Sequence, residues 1–389
     1  MKFDFSAIPV VDNHIHIFLP KDDPEAMGYA ITSYKMDRRH IESMMTYRMV
    51  TAELKRFFHM PEASADEIQQ ERYRRLRDMP REYIQSLLSD ASIKILMCDL
   101  DAPVSAYWTG RYRLDEDVEK FFWIVEPEVD TARVIRIETA CNRILDQNLL
   151  FEEFCDTFKT RMEEGIKKYN VVALKSIIAY HTGLEISNPS REKAKKAYEK
   201  FIKNRNDFGS EKTWRDFMVH EGLKICKEYQ MPLQIHTGWG DTPYGDLRRL
   251  SPKLLYDFLR EEETLKIPIV LLHAGYPYVR EMGILSSHFP NLYFDFSEMT
   301  PYAGMALETA LPMLLETAPT TKILYGTDGG GIPEPVWFGA VYSKKVLAKV
   351  LGNIVEQGYM TSSEAYQAAE SIMYRNALSL YPGLRKKSF

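Results

Sequence analysis

The chain has 389 residues, with 50 basic and 55 acidic side chains and a formal net charge of −5. There is no basic excess to follow a nucleic-acid backbone and no run of 18 or more apolar residues to span a membrane. With 45% hydrophobic and 27% charged residues, a chain this long can bury a core without metal or disulfide staples, so any metal it holds would serve chemistry rather than folding.

In chain order, apolar runs rich in Val, Ile, Leu, Tyr and Phe predict eight short buried strands. They are Ile8–Phe18, Ile93–Leu100, Ala132–Glu138, Val171–Ala179, Pro232–Thr237, Pro268–Ala274, Asn291–Phe296 and Lys322–Thr327. Helical patterning separates most of them, at Phe151–Lys168, Arg191–Asn204, Thr213–Tyr229, Pro252–Glu263, Tyr278–His288 and Ala303–Thr317. Two more helices, Val336–Gln357 and Ser362–Ser379, close the chain. Strands alternating with helices imply a parallel sheet. Eight such units place the chain in the α/β class as a closed (β/α)8 TIM barrel, one domain over residues 1–389. The stretch 19–90 is charged, helix-like and much longer than an ordinary connection. It leaves strand one at the end where barrel active sites are built, and we read it as a helical insertion capping the site; an oligomerisation arm is the compatible alternative.

The N-terminal residues MKFDFSAIPV lack the pattern of a signal peptide. Cys98, Cys141, Cys155 and Cys226 lie far apart with no CxxC pair. They read as reduced, mostly buried thiols of a cytoplasmic protein.

Polar residues near the predicted strand ends carry the chemical signal. His14 and His16 sit two apart on strand one, so both imidazoles project from one face. His236 ends strand five, His273 lies near the end of strand six, and Asp328 follows strand eight in YGTDGGG. Lys175 lies within strand four among apolar residues. On a barrel these six groups converge at the C-terminal face, and imidazole and carboxylate donors suit zinc and its neighbours. Each has a bland alternative: a hydrogen-bonded core histidine, a turn aspartate, or a lysine that pairs with a carboxylate or snorkels. The order along the chain is what favours the metal reading. Arg136 and Glu138 alternate in VIRIET and so share a strand face, either as a bidentate clamp for a substrate carboxylate or as an internal ion pair. Tyr180, His181 and Trp239 are further substrate-side candidates. Asp241, Tyr276 and Glu298 are long shots, and Cys98 and Asp99 read as packing and a strand-end hydrogen bond.

HxH on strand one, Lys on four, His on five and six and Asp on eight resembles the amidohydrolase superfamily. The stretches LKSIIAYHTGLEI, PLQIHTGWGD, LLHAGYPY and LYGTDGGGIPE are similar to its amidohydrolase-2 branch, in particular to the domain fused to glutamine-synthetase-like proteins. The chain departs from that pattern at His181, where KSxxAYRxGL has arginine. The resemblance implies that His14, His16 and Asp328 hold the more buried metal and that His236 and His273 hold a second. With one metal, His236 is its ligand and His273 polarises the substrate. Lys175 matches a lysine that CO2 carboxylates to bridge two metals, whereas decarboxylase members generally lack it and use one.

The function expected is therefore a metal-dependent hydrolase, with one or two divalent metals per chain, zinc first. It would cleave an amide C–N bond, with γ-glutamyl and other carboxylate-bearing amides as the candidate class, and with Asp328, His273 and Lys175 as catalytic residues. The alternative is a mononuclear non-oxidative decarboxylase. A non-enzymatic barrel is disfavoured because all the expected ligand types are present. The partners expected are a small-molecule substrate and a second copy in a homodimer, the commonest assembly.

Overall fold

The computed structural model describes residues 3–20, 27–28, 31, 37–100, 115–240 and 245–384. Parts of the 19–90 stretch (21–26, 29–30 and 32–36) and Asp241 lie outside these residues. Eight strands form one sheet in chain order, each parallel to the next. They are β1 (Val10–His16), β2 (Ile93–Asp99), β3 (Asp130–Arg136), β4 (Val171–Ser176), β5 (Leu233–His236), β6 (Ile269–Leu272), β7 (Leu292–Asp295) and β8 (Ile323–Leu324). Main-chain bonds join the two ends of the sheet. Asn13 N–H donates to Tyr325 O (2.9 Å), Asp328 N–H to His14 O (2.7 Å) and His16 N–H to Gly329 O (2.9 Å). The fold is the (β/α)8 barrel that the strand–helix alternation predicts.

Among the described residues the α-helices run, in chain order, as follows. The 19–90 stretch contains α1 (Arg38–Ser43), α2 (Met45–Phe58), α3 (Ala65–Asp78) and α4 (Pro80–Asp90). Then come α5 (Asp115–Val125), α6 (Ile137–Leu145), α7 (Phe151–Lys168), α8 (Arg191–Lys203), α9 (Phe208–Glu228), α10 (Tyr256–Arg260) and α11 (Val279–His288). The last are α12 (Met299–Tyr302), α13 (Ala306–Leu315), α14 (Glu334–Glu356), α15 (Ser362–Glu370) and α16 (Asn376–Leu380).

Most strands are shorter than expected by a few residues, β8 spanning only Ile323–Leu324, and two of the changed ends matter for the site. Strand three ends at Arg136, and α6 begins at Ile137. Buried Ile137, Cys141, Ile144 and Leu145 have helical spacing, but no breaker separates them from the strand, so the apolar run reads through. Arg136 and Glu138 therefore do not alternate on one strand. Strand four ends at Ser176 because side chains take over its main-chain donors. Ile177 N–H donates to Glu138 Oε2 (2.8 Å), and Ile178 N–H to Ser176 Oγ (3.2 Å).

The insertion helices pack on α14. Arg72 Nε donates to Glu334 Oε1 at 2.6 Å with both side chains fully buried, and Tyr83 Oη donates to the same oxygen at 3.0 Å. Trp337 Nε1 donates to Asp90 Oδ2 (2.8 Å). At its upper edge the insertion touches the barrel end: Thr46 Oγ1 donates to Tyr302 O (3.1 Å), and Tyr302 Oη donates to Asp328 O (3.1 Å).

Inside the barrel, period-two alternation stacks side chains in layers. Val11, Ile95, Met97, Ala132, Val134, Ala173, Val270, Leu272 and Leu324 form an apolar plug with Leu380, Tyr381 and Leu384 from the C-terminal segment. Above it, Gln234 Nε2 donates to Tyr381 Oη (3.0 Å), which itself donates to Asn13 Oδ1. The next inward positions along β2, β3 and β4 are Asp99, Arg136 and Lys175.

Candidate metal centre and active site

His14 and His16 end β1, where an irregularity in the pairing with β2 falls between Asp12 and Ile15. Such a break re-aims side chains, and here Asn13 bonds within the barrel while His14 turns to the end. His14 Nε2 lies 2.9 Å from Asp328 Oδ1, and His16 Nε2 lies 3.4 Å from the same oxygen. Asp328 is held at φ 56°, an uncommon conformation for a side-chain-bearing residue, with its N–H fixed by His14 O. Gly330 must be small, since a Cβ there would come within 2.6 Å of His16 Cβ.

His236 ends β5 and His273 follows β6, with ring centroids 4.4 Å apart; His273 lies 6.0 Å from His14. The network around His273 assigns its tautomer. Ser297 Oγ donates to Asp295 Oδ1 (2.6 Å) and so accepts from His273 Nδ1 (2.8 Å). The proton then sits on Nδ1, and Nε2 carries a lone pair. His273 Nε2 and His236 Nε2 are both buried without a hydrogen-bond partner.

Burial sets the charges. It pushes His14 down to about 4, with Lys175 adding to the effect, and it pushes His273 down to about 3. Burial and then His273 also hold His236 well below its ordinary range. These three imidazoles are neutral at pH 7 and present lone pairs. For Asp328, burial would raise the pKa, but hydrogen bonds from His14 and His16 outweigh it and hold the carboxyl well below its ordinary range.

Lys175 is buried with Nζ 2.7 Å from His14 Nε2 and 3.1 Å from Asp99 Oδ2. Burial lowers its pKa, and Asp99 opposes the shift. Asp99 also accepts from Arg136 Nε at 2.6 Å, both side chains being almost fully buried. Burial would raise the Asp99 carboxyl, but Arg136 and then Lys175 outweigh it and hold it down. Arg136 Nη2 reaches within 3.3 Å of His16 Nε2.

The sequence candidates thus divide. His14, His16, Lys175, His236, His273 and Asp328 converge as expected. Arg136 joins them as the buried partner of Asp99, not of Glu138. Glu138 is occupied behind β4, accepting from Ser176 Oγ (2.6 Å) and Ile177 N–H. The Tyr180 ring lies 4.4 Å from the His236 ring, tilted by 43°, and a Cβ on Gly240 would meet both Tyr180 Oη (1.9 Å) and His236 Nε2 (2.7 Å). His181 is buried beside Glu211 of α9, 3.9 Å away. Trp239 is half-buried on the strand-five loop, its ring 6.3 Å from Tyr276.

Two residues gain importance in three dimensions. Asp99, read as a strand-end hydrogen bond, anchors both Arg136 and Lys175; its signal is the period-two spacing from Ile95 and Met97. Glu298, a long shot in sequence, lies after β7 with Oε2 3.9 Å from His273 Nδ1. Among the described residues, two groups have donor atoms lying within 4.8 Å of one another. One is His14, His16 and Asp328, and the other His236, His273 and Glu298. Neutral imidazoles, an ionised carboxylate and buried, unpartnered Nε2 atoms fit a divalent metal.

Residues 189–383 match the family model Amidohydro_2, described as amidohydrolase. The chain is 26% identical to Protein fluG of Emericella nidulans over 419 aligned positions, covering 96% of this chain and 45% of that protein. It therefore spans less than half of that curated relative. A structure from Lactobacillus casei ATCC 334, proposed to be a metal-dependent hydrolase, superimposes with a TM-score of 0.83 at 22% identity over 100% of both chains. Uronate isomerase of Thermotoga maritima superimposes with a TM-score of 0.69 at 18% identity, over 97% of this chain and 95% of that one. Both share the fold. With a family match over half of its length and these donors at the barrel mouth, the chain belongs to the amidohydrolase family.

Proposed function

We propose that this protein is a metal-dependent hydrolase that cleaves the C–N bond of a small amide. The supporting observation is the convergence of two donor groups, each of two imidazoles and one carboxylate, at the C-terminal ends of the strands. His14, His16 and Asp328 would hold one metal, and His236 and His273 a second, with zinc the first choice for such donors. Carboxylation of Lys175 would add a bridge between them. A divalent metal bound here supplies Lewis acidity and makes water a nucleophile near neutral pH.

The chain's own residues do the rest. Asp328, ionised at neutral pH, accepts a proton from the attacking water at its carboxylate and returns it to the leaving nitrogen. Ser297 fixes the His273 ring so that Nε2 faces the reacting centre. Tyr180 and Trp239 would contact the substrate, and the 19–90 insertion, whose Thr46 bonds to Tyr302, would cap the site. Arg136 is committed to Asp99, so a substrate carboxylate has no clamp in the Arg136–Glu138 pair. The γ-glutamyl class rests on the sequence resemblance alone. A cytoplasmic setting fits the four buried free cysteines, and a homodimer completes the reading.

The test is a panel of small amides, γ-glutamyl amides first, turned over in 18O-labelled water. Amine release with label in the product carboxylate is expected. Carbon dioxide release without label from carboxylated substrates would replace this reading with the decarboxylase.

A further inference from the structure

We infer that Glu298 is a direct metal ligand, completing with His236 and His273 a second site that has its own carboxylate and does not depend on Lys175 for one. The inference rests on the proposed reading of the barrel end as a metal centre and adds to it a residue from the β7 side.

Three observations carry it. First, one donor atom from each of His236, His273 and Glu298 lies within 4.8 Å of the other two, and all three residues are buried. Second, Glu298 does not serve merely to orient His273. A carboxylate often fills that role behind a metal-binding histidine, but Ser297 Oγ already occupies His273 Nδ1 at 2.8 Å, and Glu298 Oε2 stands at 3.9 Å, beyond hydrogen-bond range. Third, the backbone is strained where it presents this side chain. Glu298 has φ 59° and ψ −47° and centres a γ-turn closed by Met299 N–H on Ser297 O, a rare and strained turn. Glu298 N–H donating to Thr327 O at 2.8 Å holds it in place. Strain of this kind persists at ligand clamps, where the surroundings over-determine it.

Two imidazoles and one glutamate are a donor set known for zinc sites that keep a position open for substrate or water. The group repeats, with Glu in place of Asp, the set of His14, His16 and Asp328. The two sites would then be furnished separately, and a carboxylated Lys175 would bridge them without being required for occupancy. A different use of Glu298, pairing with a cationic group of the substrate, would leave metal content untouched.

The experiment is metal counting on the full chain, purified without chelators, loaded with Zn2+ and washed. It uses elemental analysis together with competition against a chromophoric chelator. The wild type is expected to hold two equivalents. Glu298→Gln is expected to keep the first and bind the second more than about 100-fold more weakly, the loss being at least that seen when a supporting residue is removed. Retention of the first equivalent reports an intact barrel. Glu298→His, which keeps a donor, is expected to restore the second equivalent, and Lys175→Met to retain both. Two equivalents at wild-type affinity in Glu298→Gln would overturn the inference, as would loss of the second equivalent in Lys175→Met but not in Glu298→Gln. A wild type that binds no metal would instead overturn the proposed function itself.

Discussion

The two ends of the barrel are built from the same eight strands and solve opposite problems. At the N-terminal end the inward positions are apolar, and the few polar groups above them, Asn13, Gln234 and Tyr381, bond to one another, with Asn13 Nδ2 also donating to Asp295 Oδ2 (2.7 Å). At the C-terminal end the inward positions are Asp99, Arg136, Lys175 and four histidines, with Asp328 beside them. Asp99, Arg136 and Lys175 neutralise one another in part, while His236 Nε2 and His273 Nε2 have no hydrogen-bond partner. One end is filled mainly by apolar packing, and the other presents buried nitrogen and oxygen donors at the barrel mouth. Strand β1 shows the change within seven residues, from Val11 in the plug through Asn13 in the hydrogen-bonded layer to His14 and His16.

The largest effect should come from the open end. Asp328→Asn is expected to lower kcat about 10²- to 10⁴-fold, the range for a lost general acid–base, while leaving the denaturant midpoint near that of the wild type. Full activity in this variant would break the contrast.

Buried charge that is satisfied internally should behave differently. Arg72→Met leaves Glu334 buried without its charge partner, with only the Tyr83 hydroxyl bonded to it, and is expected to cost about 3–5 kcal/mol of stability, read from urea unfolding. The double variant with Glu334→Gln should recover part of that loss.

At the closed end, Tyr381→Phe removes one hydroxyl from the Asn13–Gln234 network. A loss of about 1–3 kcal/mol is expected, with kcat unchanged. A tenfold fall in kcat would show that the two ends are coupled.

The smallest effect is a pH dependence. Lys344 is 4% exposed, and its Nζ donates to Ser6 O and Ala91 O at 2.7 and 2.9 Å. Burial lowers its pKa to about 8, with Asp90 and Asp4 opposing. Below that value both folded and unfolded chains bind the proton, and the cost of burying the charge is fully present. As pH rises from about 8 toward the ordinary lysine value, the unfolded chain binds more protons, so stability should rise by roughly 1 kcal/mol or less per pH unit. Lys344→Met should flatten that slope in melting curves taken between pH 8 and 10.

Much of this contrast is legible in the sequence, because strand alternation is a local rule. The HxH of β1, the histidine ending β5 and the lysine of β4 each follow from counting along one strand. What escapes is whatever depends on a boundary or on a distant partner. Glu138 counts as inward only if β3 continues, and the chain turns helical one residue earlier. Asp99 obeys the same count as Lys175, but its weight comes from two neighbouring strands that bring Arg136 and Lys175 to it. Tyr381 meets Asn13 across 368 residues. Glu298 follows no period at all, since a γ-turn aims it.

The most direct test of the open end is metal binding by the wild-type chain. Elemental analysis of protein purified without chelators should give close to two equivalents per chain, and stripping them should lower the melting temperature. A chain that holds no metal after exposure to Zn2+ or Mn2+, and melts at the same temperature with and without them, would contradict the account.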